Sequence, residues 1–270
     1  MNMIMRTYVL CIMGAVMVMT LSGQAAAQDK PVNSNAEKPL EITADKTLEW
    51  HRNTKKYIAR GNAKAVQGDV SIQASVLTAD YKETAQSSAD IYRITADQNV
   101  VLSSKDNSGF ADKAVYAVDE GLAVMTGDNL RLVSPDQVLT ARDKFEYWVT
   151  EGKLVAYGRP KIVRETDTLE ADKMTAFFKD NVDGSRELSR FEAQGNVVIT
   201  TPTEILTGGR GVYVADSNTA ELFGRATIKR GQNILSGERA EINLDTNISK
   251  MHGTASNNGR VRGVFYPGSE

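Results

Sequence analysis

A hairpin-sized unit is written seven times in this chain, and that repetition limits the fold more than any other feature. Aligned on the glycine after its second apolar stretch, copies include VYAVDEGLAVMTGDN (115–129), FEYWVTEGKLVAYGRP (145–160), VYVADSNTAELFGRA (212–226) and EINLDTNISKMHGTA (241–255). The marker falls at Gly61, Ala96, Gly127, Gly158, Gly195, Gly224 and Gly253, a period of 29 to 37 residues. A repeat that persists while its residues drift specifies a shape rather than a reactive group.

Within each unit the hydrophobic period is two. Leu40, Ile42 and Ala44 alternate with Glu41, Thr43 and Asp45; Val70 and Ile72 alternate with Ser71 and Gln73; Leu169 and Ala171 alternate with Glu170 and Asp172. That spacing marks strands with one apolar and one wet face. Helical spacing is not sustained beyond the first 27 residues. Turn residues occur inside the hairpins (Asn53, Asp119-Glu120-Gly121, Glu151-Gly152, Asp183-Gly184, Asp245-Thr246-Asn247) and between them (Gln67-Gly68-Asp69, Pro135-Asp136, Pro202-Thr203, Gly231-Gln232, Asn257-Asn258-Gly259). Two strands per unit give an all-β antiparallel protein of about 14 strands.

A sheet that large must curl or fold into two layers, because strand twist accumulates and the apolar face needs cover. Alternation predicts that Leu40, Ile42, Val70, Ile72, Val100, Leu102, Val197, Ile199 and Ile228 point into one shared apolar interior. With 7 Phe, 9 Tyr and 2 Trp in the chain, aromatics are too few to fill it, so Val, Ile, Leu and Ala line it. Such a lining can close as a dry core or stay parted as a greasy trough, and alternation does not separate the two.

The N-terminus carries a location signal. Arg6 is the sole charge in residues 1–27, an apolar run covers Thr7 to Leu21, and Ala25-Ala26-Ala27 follows. This is the pattern of a cleaved secretory signal ending before Gln28, since a run of about 15 residues is short for a membrane span. Cys11 lies within that run, so the exported chain contains no cysteine for a disulfide or a thiolate metal site. Residues 28–39 (QDKPVNSNAEKP) read as a flexible leader, residues 40–266 as one domain and residues 267–270 as a tail.

Composition excludes several classes. There are 32 Lys and Arg against 34 Asp and Glu; removing Arg6 leaves 31 against 34, and no basic stripe suggests nucleic acid. His51 and His252 lie far apart without metal-ligand spacing, and read as exposed strand-end residues. The repeated Ala-Asp pairs (Asp45, Asp80, Asp97, Asp112, Asp172) are replaced by Arg142, Gly208-Gly209 and Gly237-Glu238 in other units, which calcium ligation would not tolerate. They are expected on solvated outward faces. There is no nucleophile elbow and no phosphate-binding loop, and nothing singles out a glycosidase carboxylate pair. The expectation is a protein without enzymatic activity, metal or cofactor.

Units of the form LEITADK…YIARGNAKAVQGDVSIQASVLTADY, with recurring L-x-A-D (Leu169 to Asp172) and G-N-V-x-I (Gly195 to Ile199), resemble the LptA/OstA family over residues 40 to about 255. The resemblance implies a twisted OstA-like β-jellyroll, parted along one side, that acts as a periplasmic bridge in lipopolysaccharide export in Gram-negative bacteria. It implies lipid acyl chains against the nine interior residues above, with Leu40 and Ile42 on the family's lipid-contacting N-terminal strand. It also implies like-folded partners, one anchored in the inner membrane and one in the outer. Alternatives are the membrane-anchored partner of the same pathway, a β-helix that binds or processes polysaccharide, and an envelope protein with a closed core.

Unclosed sheets end in strands with unpaired backbone groups. The N-terminal edge is expected at Leu40 to Trp50 and the C-terminal edge at Arg260 to Phe265, where Val261 and Val264 sit. Neither carries the proline or dense lysine that blocks pairing, which predicts a head-to-tail homo-oligomer.

Overall fold

Alternating apolar and polar residues commit a chain to strands, and the computed structural model describes twenty of them in one sheet. It describes residues 40–84, 89–182, 185–246, 248–254 and 259–266. The expected signal, leader and tail lie outside the described residues, as do the turn residues Asp183, Gly184, Asn247, Asn257 and Asn258. No helix occurs among the described residues.

The first strands are β1 (Glu41–Thr43), β2 (Thr47–His51), β3 (Lys56–Gln67), β4 (Val70–Lys82), β5 (Asp90–Ser104) and β6 (Asn107–Ala117). Eight shorter ones follow: β7 (Leu122–Thr126), β8 (Arg131–Ser134), β9 (Gln137–Thr140), β10 (Lys144–Trp148), β11 (Lys153–Tyr157), β12 (Lys161–Arg164), β13 (Asp167–Glu170) and β14 (Lys173–Asp180). The last are β15 (Arg186–Thr200), β16 (Ile205–Val214), β17 (Thr219–Arg230), β18 (Asn233–Asn243), β19 (Ile248–His252) and β20 (Arg262–Val264).

Pairing shows that six of the strand tracks are broken in the middle. β1 and β2 both pair with β3, and β19 and β20 both pair with β18. In the centre, β7–β10–β11–β14 form one ladder and β8–β9–β12–β13 a second. Joining β1/β2, β7/β8, β9/β10, β11/β12, β13/β14 and β19/β20 turns the twenty strands into fourteen tracks. Each track pairs only with tracks adjacent in sequence, and every pairing is antiparallel. The antiparallel ladder overturns the β-helix alternative, whose rungs would pair in parallel.

The breaks lie level with register shifts in the uninterrupted tracks, at Arg60/Ala63, Asp97/Val100, Gln194/Val197 and Phe223/Ala226. Together they form a corner that folds the sheet into two walls. Its local cause is a pair of left-handed residues, such as Gly195 (φ 74°) followed by Asn196 (φ 47°), which bends the strand and leaves an extra residue in the ladder. The same pair recurs at Gly61-Asn62, Gly158-Arg159 and Gly224-Arg225. In the second unit it is Gln98 (φ 64°) and Asn99 (φ 53°), so the bend is not at the expected marker Ala96, which instead faces inward and is fully buried. Gly253 carries no left-handed φ.

The Ala-Asp elements supply the other half of the corner. Asp112 Oδ2 accepts a hydrogen bond from the Asp128 backbone N–H at 2.7 Å, and Asp172 Oδ2 accepts one from Asn196 Nδ2 at 2.8 Å. Asp112 and Asp172 are exposed as expected, yet they brace the bend rather than merely face water. In the unit that read as Arg142, the carboxylate against the corner glycine is Asp143, one residue later. Asp80 departs from the expected solvated face: it is 8% exposed, with Lys56 Nζ at 3.2 Å.

Inward side chains line up in rows across the tracks. On the first wall, cross-strand partners run Ala59–Leu77–Ala96–Ala114–Met125–Phe145–Ala156–Met174–Ala193. On the second they run Ile42–Ala65–Ile72–Leu102–Gly109–Leu132–Leu139–Ile162–Leu169–Ile199–Leu206–Ile228. Small residues are interspersed with larger ones on the first wall, the second-wall row is large from Leu132 to Ile228, and the two pack into one apolar cluster. β1 and β2 at one end and β19 and β20 at the other have a strand on one side only, so no pairing among the described residues closes the sheet.

Candidate ligand cavity

The two ends of this interior are filled differently. Toward the C-terminal half Phe145, Ile162, Leu169, Leu206 and Leu222 are each at most 2% exposed. Toward the N-terminal edge a cavity of about 270 Å³ remains, with Ala59, Ala65, Ala79, Ala114 and Ala123 among its lining. Leu40, Ile42 and Leu48 border it from the edge strands. Ile72, Leu77, Ile94, Leu102 and Met125 are among the remaining apolar lining.

Of the nine residues expected in the interior, Leu40, Ile42, Val70, Ile72 and Leu102 line this cavity. Val100 belongs to the apolar cluster and is 1% exposed. Val197 and Ile199 are buried in the packed half, and Ile228 packs against the same cluster. The nine therefore share one side of the sheet but not one cavity. Leu48, Tyr57, Ile94, Tyr116 and Met125 also line it and were not singled out from the sequence.

Tyrosine hydroxyls are the polar exceptions on the first wall. A second inward row there runs Trp50–Tyr57–Ala79–Ile94–Tyr116–Ala123–Tyr147–Leu154–Ala176–Phe191–Tyr213. Tyr147 accepts from Arg186 Nη1 at 2.5 Å, and the same nitrogen donates to the Val149 carbonyl at 2.8 Å. Burial pushes the Tyr147 hydroxyl up to about 12 against the opposing pull of Arg186. Tyr213 donates to Asn218 Oδ1 at 3.1 Å. The Tyr116 hydroxyl, 8% exposed as a residue, has no hydrogen-bond partner among the described residues, and burial raises its pKa.

At the N-terminal edge, Trp50 stacks on Tyr57 with ring centroids 5.7 Å apart and donates through Nε1 to Tyr81 at 2.8 Å. At the far margin of the second wall, Asn107, Gln137 and Asp167 each begin the strand after a turn, and all three are buried. Burial, reinforced by the nearby Glu165 charge, raises the Asp167 pKa. His51 and His252 end β2 and β19; His51 Nε2 lies 2.6 Å from Glu49 Oε2 and His252 Nε2 lies 3.5 Å from Glu241 Oε2.

Fold and cavity define a class: an antiparallel sheet bent into a two-walled trough, apolar inside, hollow at one end and, among the described residues, unpaired at both edges. The sequence profile of the family described as LptA/(LptD N-terminal domain) LPS transport protein matches residues 41–152 and again 142–248. The chain belongs to that family. An uncharacterized protein of Rhizobium meliloti (strain 1021) is 26% identical over 127 residues, 45% of this chain and 68% of its own length. The crystal structure of LptH from Pseudomonas aeruginosa, described as the LptA homologous periplasmic component of the conserved lipopolysaccharide transport device, aligns over 87% of this chain and 99% of its own. The two chains are 12% identical, with a TM-score of 0.22.

Proposed function

We propose that this protein is a periplasmic, non-enzymatic carrier that takes lipopolysaccharide acyl chains into its trough and passes them from the inner toward the outer membrane. The observation that carries this reading is the cavity beside the unsealed N-terminal edge, with Leu40, Ile42, Ile72 and Leu102 among its lining. Exposing acyl chains to water costs about 25 cal/mol per Å² of apolar surface, and a continuous aliphatic lining removes that cost without fixing the lipid at one point. Strand addition at either edge, by a second copy or by like-folded membrane partners, would join successive troughs into one path.

A photo-crosslinker placed at Ile42 in cells should capture lipopolysaccharide, whereas one at Thr43, on the opposite face of β1, should not. Capture from Thr43 and none from Ile42 would overturn the assignment of the trough as the carrying surface.

A further inference from the structure

At its C-terminal end the second wall does not present the wet outer face that alternation assigns to it. One outward row there runs Ile205–Lys229–Ile234–Val264, and the next runs Thr207–Thr227–Ser236–Arg262. The sequence neighbour Leu206 points inward and is 1% exposed, against 42% for Ile205 and 39% for Ile234. The chain then continues into Phe265, 71% exposed, and Tyr266, 50% exposed. The Tyr266 backbone N–H donates to Asn233 Oδ1 at 2.8 Å, which holds this end of the chain against β18. Single apolar residues on a surface are ordinary, but these gather at one end, across three strand spacings or ~14 Å.

The free charge at this end has one sign. Lys229, Arg260 and Arg262 are exposed and have no ion-pair partner among the described residues, and neither outward row contains a carboxylate. Glu204, beside the first row, is already engaged by Arg230 Nε at 3.1 Å, and Glu238 lies further along β18, at the bend. Exposed isoleucine and aromatic side chains among free cations match a surface that is anionic outside and apolar just beneath. A second copy laid symmetrically on the same patch would instead set these cations against themselves.

We propose that this end of the second wall rests on an anionic phospholipid bilayer. Lys229, Arg260 and Arg262 meet the headgroups, and Ile234, Phe265 and Tyr266 sit at the interface. The contact uses the outer face alone, so it is independent of the carrier reading, which concerns the inner one.

The test is flotation of the protein, purified after export, with vesicles of phosphatidylcholine alone or mixed with phosphatidylglycerol, both free of lipopolysaccharide. The protein should float with the mixed vesicles only, and the binding should fade as salt is raised. Lys229→Glu and Arg262→Glu should each weaken partitioning ~5-fold or more, from the worth of one cation at such a surface. Phe265→Ala should weaken it too, with melting temperatures unchanged throughout. Lys64→Glu makes the same change in net charge on the outer face at the opposite end, and should leave binding intact. No binding to anionic vesicles, equal binding to neutral ones, or an equal loss in Lys64→Glu overturns the proposal. So does a change of oligomeric state in the patch variants with vesicle binding unaltered, which would assign the patch to a second copy. None of these results bears on crosslinking at Ile42, which tests the carrier reading separately.

Discussion

Asn196 Nδ2 donates to Asp172 Oδ2 at 2.8 Å across the corner, tying the residue after one bend to the strand beside it. Between them sits Gly195 at φ 74°, where an added Cβ would overlap the Asp172 side chain. Gly231 has a similar backbone (φ 55°) but open space around it. Both glycine-to-alanine substitutions bear the left-handed strain of about 1–2 kcal/mol, and only Gly195→Ala adds a clash. Urea denaturation should therefore rank Gly195→Ala below Gly231→Ala in stability; equal losses would mean that the corner contact is not structural.

The unequal filling of the interior predicts an unequal response to truncation. Leu169, with no exposure, should lose about 2–5 kcal/mol as alanine, because its surroundings are closely packed. Ile42→Ala, at the rim of an existing cavity, removes fewer contacts and should cost about 1 kcal/mol or less. Denaturant midpoints decide this, and a larger loss at Ile42 would contradict a hollow N-terminal end.

Asp167 makes stability depend on pH in a definite direction. Burial, with Glu165 nearby, raises its folded pKa above the unfolded value, so the folded state binds the proton more tightly. The contribution is complete below the unfolded pKa, near 3.9, and is lost as pH rises through the folded one. Asp167→Asn should be more stable than the parent at neutral pH, with the difference shrinking on acidification. Melting curves from neutral to acidic pH would expose the opposite sign.

Open edges predict association. Val264 lies on β20, opposite Ile234, and Val261 just precedes it, 43% exposed. Proline at either position removes a backbone donor from this edge. Light scattering should show concentration-dependent assembly that Val261→Pro weakens while the far-ultraviolet circular dichroism is kept. A monomer at every concentration would remove edge pairing from the account.

Much of the fold was legible because it rests on local alternation: the L-E-I-T phase places Ile42 inward, and both edges lie where the patterned stretches end. The corner was partly hidden. Gln98-Asn99 adopts the bend that Gly-Asn takes elsewhere, and Asp143 replaces an expected aspartate one residue later, so spacing alone misplaces both. Tyr116 escaped notice because Ala114-Val115-Tyr116-Ala117-Val118 lacks a polar alternate to reveal its phase. The cavity was illegible for a different reason. Its lining is gathered from strands β1 to β7, and no single segment records such a gathering.

Pairing restricted to sequence neighbours makes the length of the trough an adjustable quantity. A hairpin inserted between two tracks would find the same ladder on either side and add two strand spacings, about 10 Å, to the interior. None of the existing rows would need to change its facing residues. The two successive matches of one family profile, at 41–152 and 142–248, fit a molecule that grows by accretion, so that its reach is set by how many hairpins are strung together.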